Sequence, residues 1–178
     1  MSRTVLVAYA TKMGSTAAIA AAIGTELRRH GHHVDVREVS IVDSIADYDA
    51  VVLGSAIYIR RWRPEAVSFL RKHAAELRDR QVWLFHSGPI GPDRDQLQAM
   101  PPNVRRLARR IGAAPAMTFA GALDPDTAEG FLARHLATGN LAGDSRDWPL
   151  IAAWSEDLAA AISATEHSTW HRAIAGPV

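Results

Sequence analysis

Two stretches of this chain, Val5-Leu6-Val7-Ala8 and Val51-Val52-Leu53, are apolar at every position rather than at every second one. An alternating strand keeps one face for water. A continuous one has protein on both faces, the condition of a parallel sheet covered by helices on each side. Three more short runs suit strands, giving five: Thr4 to Tyr9, His33 to Val39, Ala50 to Leu53, Val82 to His86 and Ala116 to Ala120.

The segments between them have helical period. Ile19, Ile23 and Leu27 recur four apart, and Gly31 ends that helix. Pro64 opens a second helix reaching Leu77, with Val67, Leu70 and Leu77 inward. Asn103 caps a third, which carries Val104, Leu107 and Ile111 and stops at Gly112. Asp147 caps the last, in which Trp148, Ile151, Trp154, Leu158 and Ile162 share a face. Right-handed crossovers over this alternation build an α/β fold with a doubly wound, five-stranded parallel sheet. Residues 1–165 read as one domain, 121–146 as a surface excursion after the fifth strand, and 166–178 as a C-terminal tail. Ser87 to Pro102, rich in Gly, Pro and Asp, reads as a long functional loop.

What is missing narrows the chemistry. The 178 residues include no cysteine, so disulfides, thiolate metal sites and thiol redox are excluded and any redox role rests on a bound cofactor. A net charge of +1 gives no reason to expect a nucleic-acid partner. No run approaches the roughly 20 apolar residues of a membrane span, so stable membrane insertion is not expected. Val5 to Ala10 is too short for a signal-peptide core, and the chain reads as cytoplasmic.

In an open parallel sheet, ligands bind outside the carboxyl ends of the strands. There the first strand runs into Thr11-Lys12-Met13-Gly14-Ser15-Thr16 and then directly into a helix. A helix start offers unpaired N–H groups and a positive dipole end, Gly14 allows close approach, and three hydroxyls add neutral donors. The loop suits a terminal phosphate; it equally suits an ordinary N-capped helix. Gly-Lys-Ser/Thr is absent, against a Walker loop, and Gly-x-Gly-x-x-Gly is absent, against a dinucleotide fold. The third strand ends in Gly54-Ser55, without the aspartate that resemblance to a phosphoacceptor receiver would require. FMN is the ligand that survives, with a deazaflavin that shares its ring and phosphate-bearing chain as the alternative.

Two other loops agree with a planar ring. One runs Ser55-Ala56-Ile57-Tyr58 with Trp62 close behind, the other Ser87-Gly88-Pro89-Ile90-Gly91. Tyr58 and Trp62 are either ring neighbours or packing beneath the next helix. Arg60, Arg61 and Arg63 form either a cationic rim for an anionic substrate or a solvated basic surface. His30, His32 and His33 lack a carboxylate pattern, so no metal site is expected. His86 ends the fourth strand, where it either approaches the ring or, as is commoner, is a satisfied strand-end histidine, so it is left out of the site; Gly-x-Ser-x-Gly is absent. No catalytic side chain stands out.

Thr11-x-x-Gly14-x-Thr16 after the first strand resembles the phosphate loop of flavodoxins. The loops opening at Ser55 and Ser87 match in position the family's two flavin-flanking loops. The chain is most similar to the menaquinone-dependent protoporphyrinogen oxidase branch, through Tyr48-Asp49-x-Val51-Val52-Leu53-Gly54, Ser55 to Tyr58, Phe69-x-x-Lys72-His73, Ala120-Gly121-Ala122-Leu123 and Trp154. The resemblance implies strand order 2-1-3-4-5 and FMN. It puts phosphate contacts on Thr11, Met13, Gly14, Ser15 and Thr16, with Lys12 in the same loop. Ring contacts fall on Ser55, Ala56, Ile57, Tyr58, Ser87, Gly88, Pro89, Ile90 and Gly91. It implies an oxidoreductase moving electrons from a small reduced donor to a quinone-like or protein acceptor, or else a carrier with no substrate of its own; a homo-oligomer is compatible with either. Two departures stand out. Met13 replaces the usual threonine, and the segment after the fifth strand holds Asp124, Asp126, Glu129 and Asp144 against Arg134 and Arg146, where the oxidase branch is basic and aromatic.

Overall fold

Val5 and Val7 of the first strand, β1 (Thr4–Ala10), pack into one layer of helices while Leu6 and Ala8 pack into the other. Continuous apolarity therefore reflects burial on both faces. The computed structural model describes residues 1–88, 97–123 and 143–164. After β1 come α1 (Ser15–Arg29), β2 (His33–Glu38), a 3₁₀ turn at Val39–Ile41, β3 (Ala50–Tyr58) and β4 (Arg61–Trp62). Then follow α2 (Pro64–Lys72), α3 (Ala74–Leu77), β5 (Gln81–Ser87), α4 (Pro102–Arg110), β6 (Met117–Phe119), β7 (Ala122–Leu123), β8 (Gly143–Asp144) and α5 (Trp148–Ala164).

Five strands form the parallel sheet in the order β2-β1-β3-β5-β6. These are the five expected strands in the expected winding. The extra strands are short: β4 folds back antiparallel on β3, and β7 pairs antiparallel with β8. On one side of the sheet α1 and α5 bury Ile19, Ile23, Leu27, Ile151, Leu158 and Ile162. On the other, α2 and α4 bury Val67, Leu70, Val104 and Ala108. Each fully buried Leu or Ile contributes about 1.5–3 kcal/mol. Gly31 and Gly112 follow α1 and α4 with φ of 87° and 70°, the left-handed stop that their positions predict.

Four sequence expectations change. The helix expected from Pro64 to Leu77 is broken at His73 (φ −100°, ψ 13°), whose ring instead holds Glu76 at 3.1 Å. Asn103 does not cap α4, because Pro102 already occupies the first turn, where its missing N–H costs nothing. Trp148 leaves the buried face of α5 and lies exposed beneath the Arg146 guanidinium, 4.5 Å from its ring centre. Asp147 does cap α5, accepting the Leu150 N–H at 2.9 Å. The fourth change is that β3 continues to Tyr58, through residues read as a loop. The excursion from 124 to 142 and the tail from 165 lie outside the described residues.

Candidate functional site

The carboxyl ends of β1, β3 and β5 meet at the edge of the sheet where the phosphate-type loop lies. Gly14, at φ 78°, precedes α1, and a side chain built there would meet nothing within 4 Å. No side chain caps α1, which overturns the ordinary N-cap alternative for this loop. The first N–H groups of the helix are thus left without a hydroxyl cap from its N-cap residue. The Thr11 hydroxyl is buried with no partner among the described residues. Both features fit a phosphate: a helix start without a side-chain cap beside open space at Gly14, and a buried hydroxyl that lacks a partner among the described residues.

The other hydroxyls are engaged, which the sequence did not predict. Ser15 Oγ accepts the Ala122 N–H at 3.0 Å, and Thr16 Oγ1 lies 2.8 Å from Ser87 Oγ in the interior. Met13 is half-buried and Lys12 exposed. The Lys12 ammonium stands 4.4 Å above the Tyr58 ring.

Ser55 to Tyr58 are the end of β3 and the first arm of a hairpin, not a loop. Ser55 is buried; its hydroxyl donates to Ala56 O at 2.9 Å and accepts the Arg63 N–H at 3.0 Å, so it pins the hairpin base. Ala56 and Ile57 are half-buried and Tyr58 exposed. The turn places Ile59 and Arg60 at φ 49° and 56°. Trp62 is buried, and its indole N–H donates to His86 Nδ1 at 3.2 Å with the two rings perpendicular. Trp62 therefore braces the hairpin from below, which is the packing alternative. Gly88 lies against the hairpin: a Cβ there would meet Ile57 Cγ2 at 2.2 Å. Its N–H is already given to Phe119 O at 3.1 Å and is not free for a ligand. Pro89, Ile90 and Gly91 lie outside the described residues.

His86 is the residue that sequence reasoning set aside. Its Nδ1 accepts from Trp62, so Nε2 carries the proton and donates to Thr118 Oγ1 at 2.9 Å. Burial pushes its pKa from 6.5 down to about 4. Thr118 also receives the Gln98 N–H at 3.3 Å, so one neutral imidazole joins β4, β5, β6 and the segment before α4. A histidine at a strand end, followed by two small residues, is too common a pattern to announce this.

Among the arginines, Arg60 and Arg61 are exposed, whereas Arg63 is half-buried and paired with Glu65 at 2.9 Å. The exposed cations around the hairpin thus include Arg60, Arg61 and Lys12. Two of the three clustered histidines have local roles, since His32 holds the Arg3 N–H and lies 3.3 Å from Ala159 O, while His30 meets Glu26. No group of three or more metal-type ligands occurs among the described residues. Nor is any helix among them long and apolar enough to cross a membrane.

The flavodoxin domain family matches residues 6–134 of this chain. No curated protein matches. Among solved structures, an archaeal flavodoxin is 16% identical with a TM-score of 0.61, covering 90% of this chain and 99% of its own. The two-electron reduced flavodoxin of Megasphaera elsdenii is 18% identical at 0.61, covering 88% of this chain and 98% of its own. Rubredoxin oxygen:oxidoreductase of Desulfovibrio gigas is 15% identical at 0.63 over 90% of this chain, which spans only 36% of that protein. At these identities the structures establish the fold, and it is flavodoxin-like.

Proposed function

The chain belongs to the flavodoxin domain family, and we propose that it binds FMN at the carboxyl edge and passes electrons between a small reduced donor and an acceptor such as a quinone. The observation that carries this reading is the start of α1: an uncapped helix end, an open Gly14 and a buried Thr11 hydroxyl without a partner among the described residues. Bound FMN supplies one- and two-electron chemistry. Thr11 and the backbone N–H groups of Ser15 and Thr16 hold its phosphate. The hairpin residues Ala56, Ile57 and Tyr58 flank the ring on one side and the segment opening at Ser87 on the other. Trp62 and His86 support that hairpin without touching the ring. Lys12, Arg60 and Arg61 favour an anionic donor or reduced flavin at the rim. Residues 1–165 act as one FMN-binding domain.

Protoporphyrinogen oxidase-like activity is the finer form of this proposal, and its support is the motif from Tyr48 to Gly54 and that from Ala120 to Leu123. The second reading, an electron carrier, is supported by the flavodoxins that this chain matches over nearly their whole length. The absorption and mass spectra of the chromophore released on denaturation test the cofactor. A release of no flavin, from protein that also fails to take up added FMN, overturns the proposal. Redox titration against several small donors then separates enzyme from carrier, since a carrier turns over none of them.

A further inference from the structure

The turn joining β3 and β4 holds Ile59 and Arg60 in the left-handed region, at φ 49° and 56°. Asn-Gly adopts such a two-residue turn freely, whereas a β-branched side chain meets steric conflict there. Ile59 is nonetheless 78% exposed, so its side chain packs against almost nothing in the described fold. The side chains of Arg60 and Arg61 are exposed too, with no ion pair or hydrogen bond among the described residues. Beside them Lys12 covers the ring of the half-exposed Tyr58. The tip therefore combines a strained backbone, one projecting apolar side chain and three exposed cations, of which Lys12 rests on the Tyr58 ring while the Arg60 and Arg61 side chains have no partner among the described residues.

We propose that this tip is a docking surface for an acidic protein partner, with Ile59 entering an apolar recess and Arg60, Arg61 and Lys12 facing its carboxylates. The contact itself stands on the hairpin alone; its use, bringing an electron-exchange partner to the flavin edge, rests on the reading above. Charge complementarity fixes the sign of the partner. A lipid surface fits less well, because even a full acyl chain gives only marginal membrane binding and a single isoleucine is far smaller. Single-stranded nucleic acid wants an open aromatic face, and Lys12 occupies that of Tyr58. Strain persists where it is over-determined by surrounding structure and tends to mark function. Here the pinned hairpin base supplies the surrounding structure.

The test uses the full chain as purified, with fluorescence anisotropy against two probes, poly-L-glutamate and a glutamate–leucine copolymer of equal length. The parent protein binds the copolymer more tightly than polyglutamate, and salt weakens both. The double replacement Ile59→Asn, Arg60→Gly removes the anchor, one charge and the strain together. It lowers copolymer affinity about tenfold while raising the melting temperature. Arg61→Gln weakens both probes and preserves the copolymer's advantage. Unchanged copolymer affinity in the double variant overturns the proposal, as does a lower melting temperature, which makes the tip part of the fold. Binding to phosphatidylserine vesicles that the double variant abolishes, without copolymer binding, overturns it in favour of a lipid surface. Flavin content, read separately from the absorption spectrum, shows whether the cofactor reading has failed independently of the docking one.

Discussion

The hydroxyl of Thr16, in the first turn of α1, lies 2.8 Å from that of Ser87, the last residue of β5, and both residues are buried. One proton serves this contact, which ties the phosphate-type loop to the strand that opens the second flanking loop. The two halves of the candidate site are thereby held in one register before any ligand arrives. Removing either partner leaves a buried hydroxyl or its space unsatisfied, so Thr16→Val and Ser87→Ala should each cost about 1–3 kcal/mol. The double variant should cost less than the two together, by about 1 kcal/mol. Urea unfolding of the four proteins measures this coupling, and strict additivity would show that the hydroxyls are not bonded.

Thr11 gives the sharper test of the ligand. Its hydroxyl is buried and without a partner among the described residues, so Thr11→Val should leave the apoprotein as stable or slightly more so. If phosphate is its partner, FMN affinity falls by about 1–3 kcal/mol, the range for hydrogen bonds to a charged group, while riboflavin affinity holds. Calorimetric titration with both ligands decides. Equal losses for the two place Thr11 away from phosphate.

The doubly wound sheet was legible because Val5 to Ala8 and Val51 to Leu53 record burial on both faces directly in composition. The phosphate-type loop was legible because a strand, a glycine and a helix start are local in sequence. The hairpin was not. Its turn residues, Ile59 and Arg60, are poor formers of the turn that they occupy, so no Asn-Gly signal marked it. The inward roles of Ser55, Trp62 and His86 depend on partners 8 to 32 residues away, and spacing alone does not reveal those. Trp148 misled for the opposite reason: it has the right helical phase but sits at the first turn, where Arg146 reaches over it.

Gly54 tests the packing of the central strand. A Cβ there would lie 2.1 Å from the Phe85 ring, which packs against Phe119 at 5.8 Å in the fully buried layer beneath α5. The ring has no room to retreat, so Gly54→Ala should cost about 1–3 kcal/mol as overpacking. Adding Phe85→Leu should recover part of that loss, whereas a surface-like effect would leave the two changes additive. Thermal and urea unfolding of the single and double variants read this out.

The last prediction concerns the imidazole of His86, whose pKa burial lowers from 6.5 to about 4. In the unfolded chain it returns to its ordinary value, so between pH 6.5 and 4 the unfolded state takes up a proton that the folded state refuses. Stability from this residue is therefore complete above pH 6.5, falls as the pH drops through that window, and levels below about pH 4. The gap corresponds to on the order of 3 kcal/mol. His32, also lowered chiefly by burial, adds a slope of the same sign. Asp35 and Asp144, lowered below their ordinary 3.8 by hydrogen bonds from Tyr48 and Arg146, lose their contributions at more acid pH. His86→Gln supplies a carbonyl oxygen for the Trp62 indole and an N–H for Thr118 without a titrating proton. It should flatten the decline between pH 6.5 and 4, leaving the part that His32 supplies. His86→Leu strands both partners and should destabilise at every pH by about 1–3 kcal/mol per unpaired group. Urea midpoints at pH 7 and pH 4.5 distinguish these variants. Equal declines in the parent and the glutamine variant would show that another group carries the acid sensitivity.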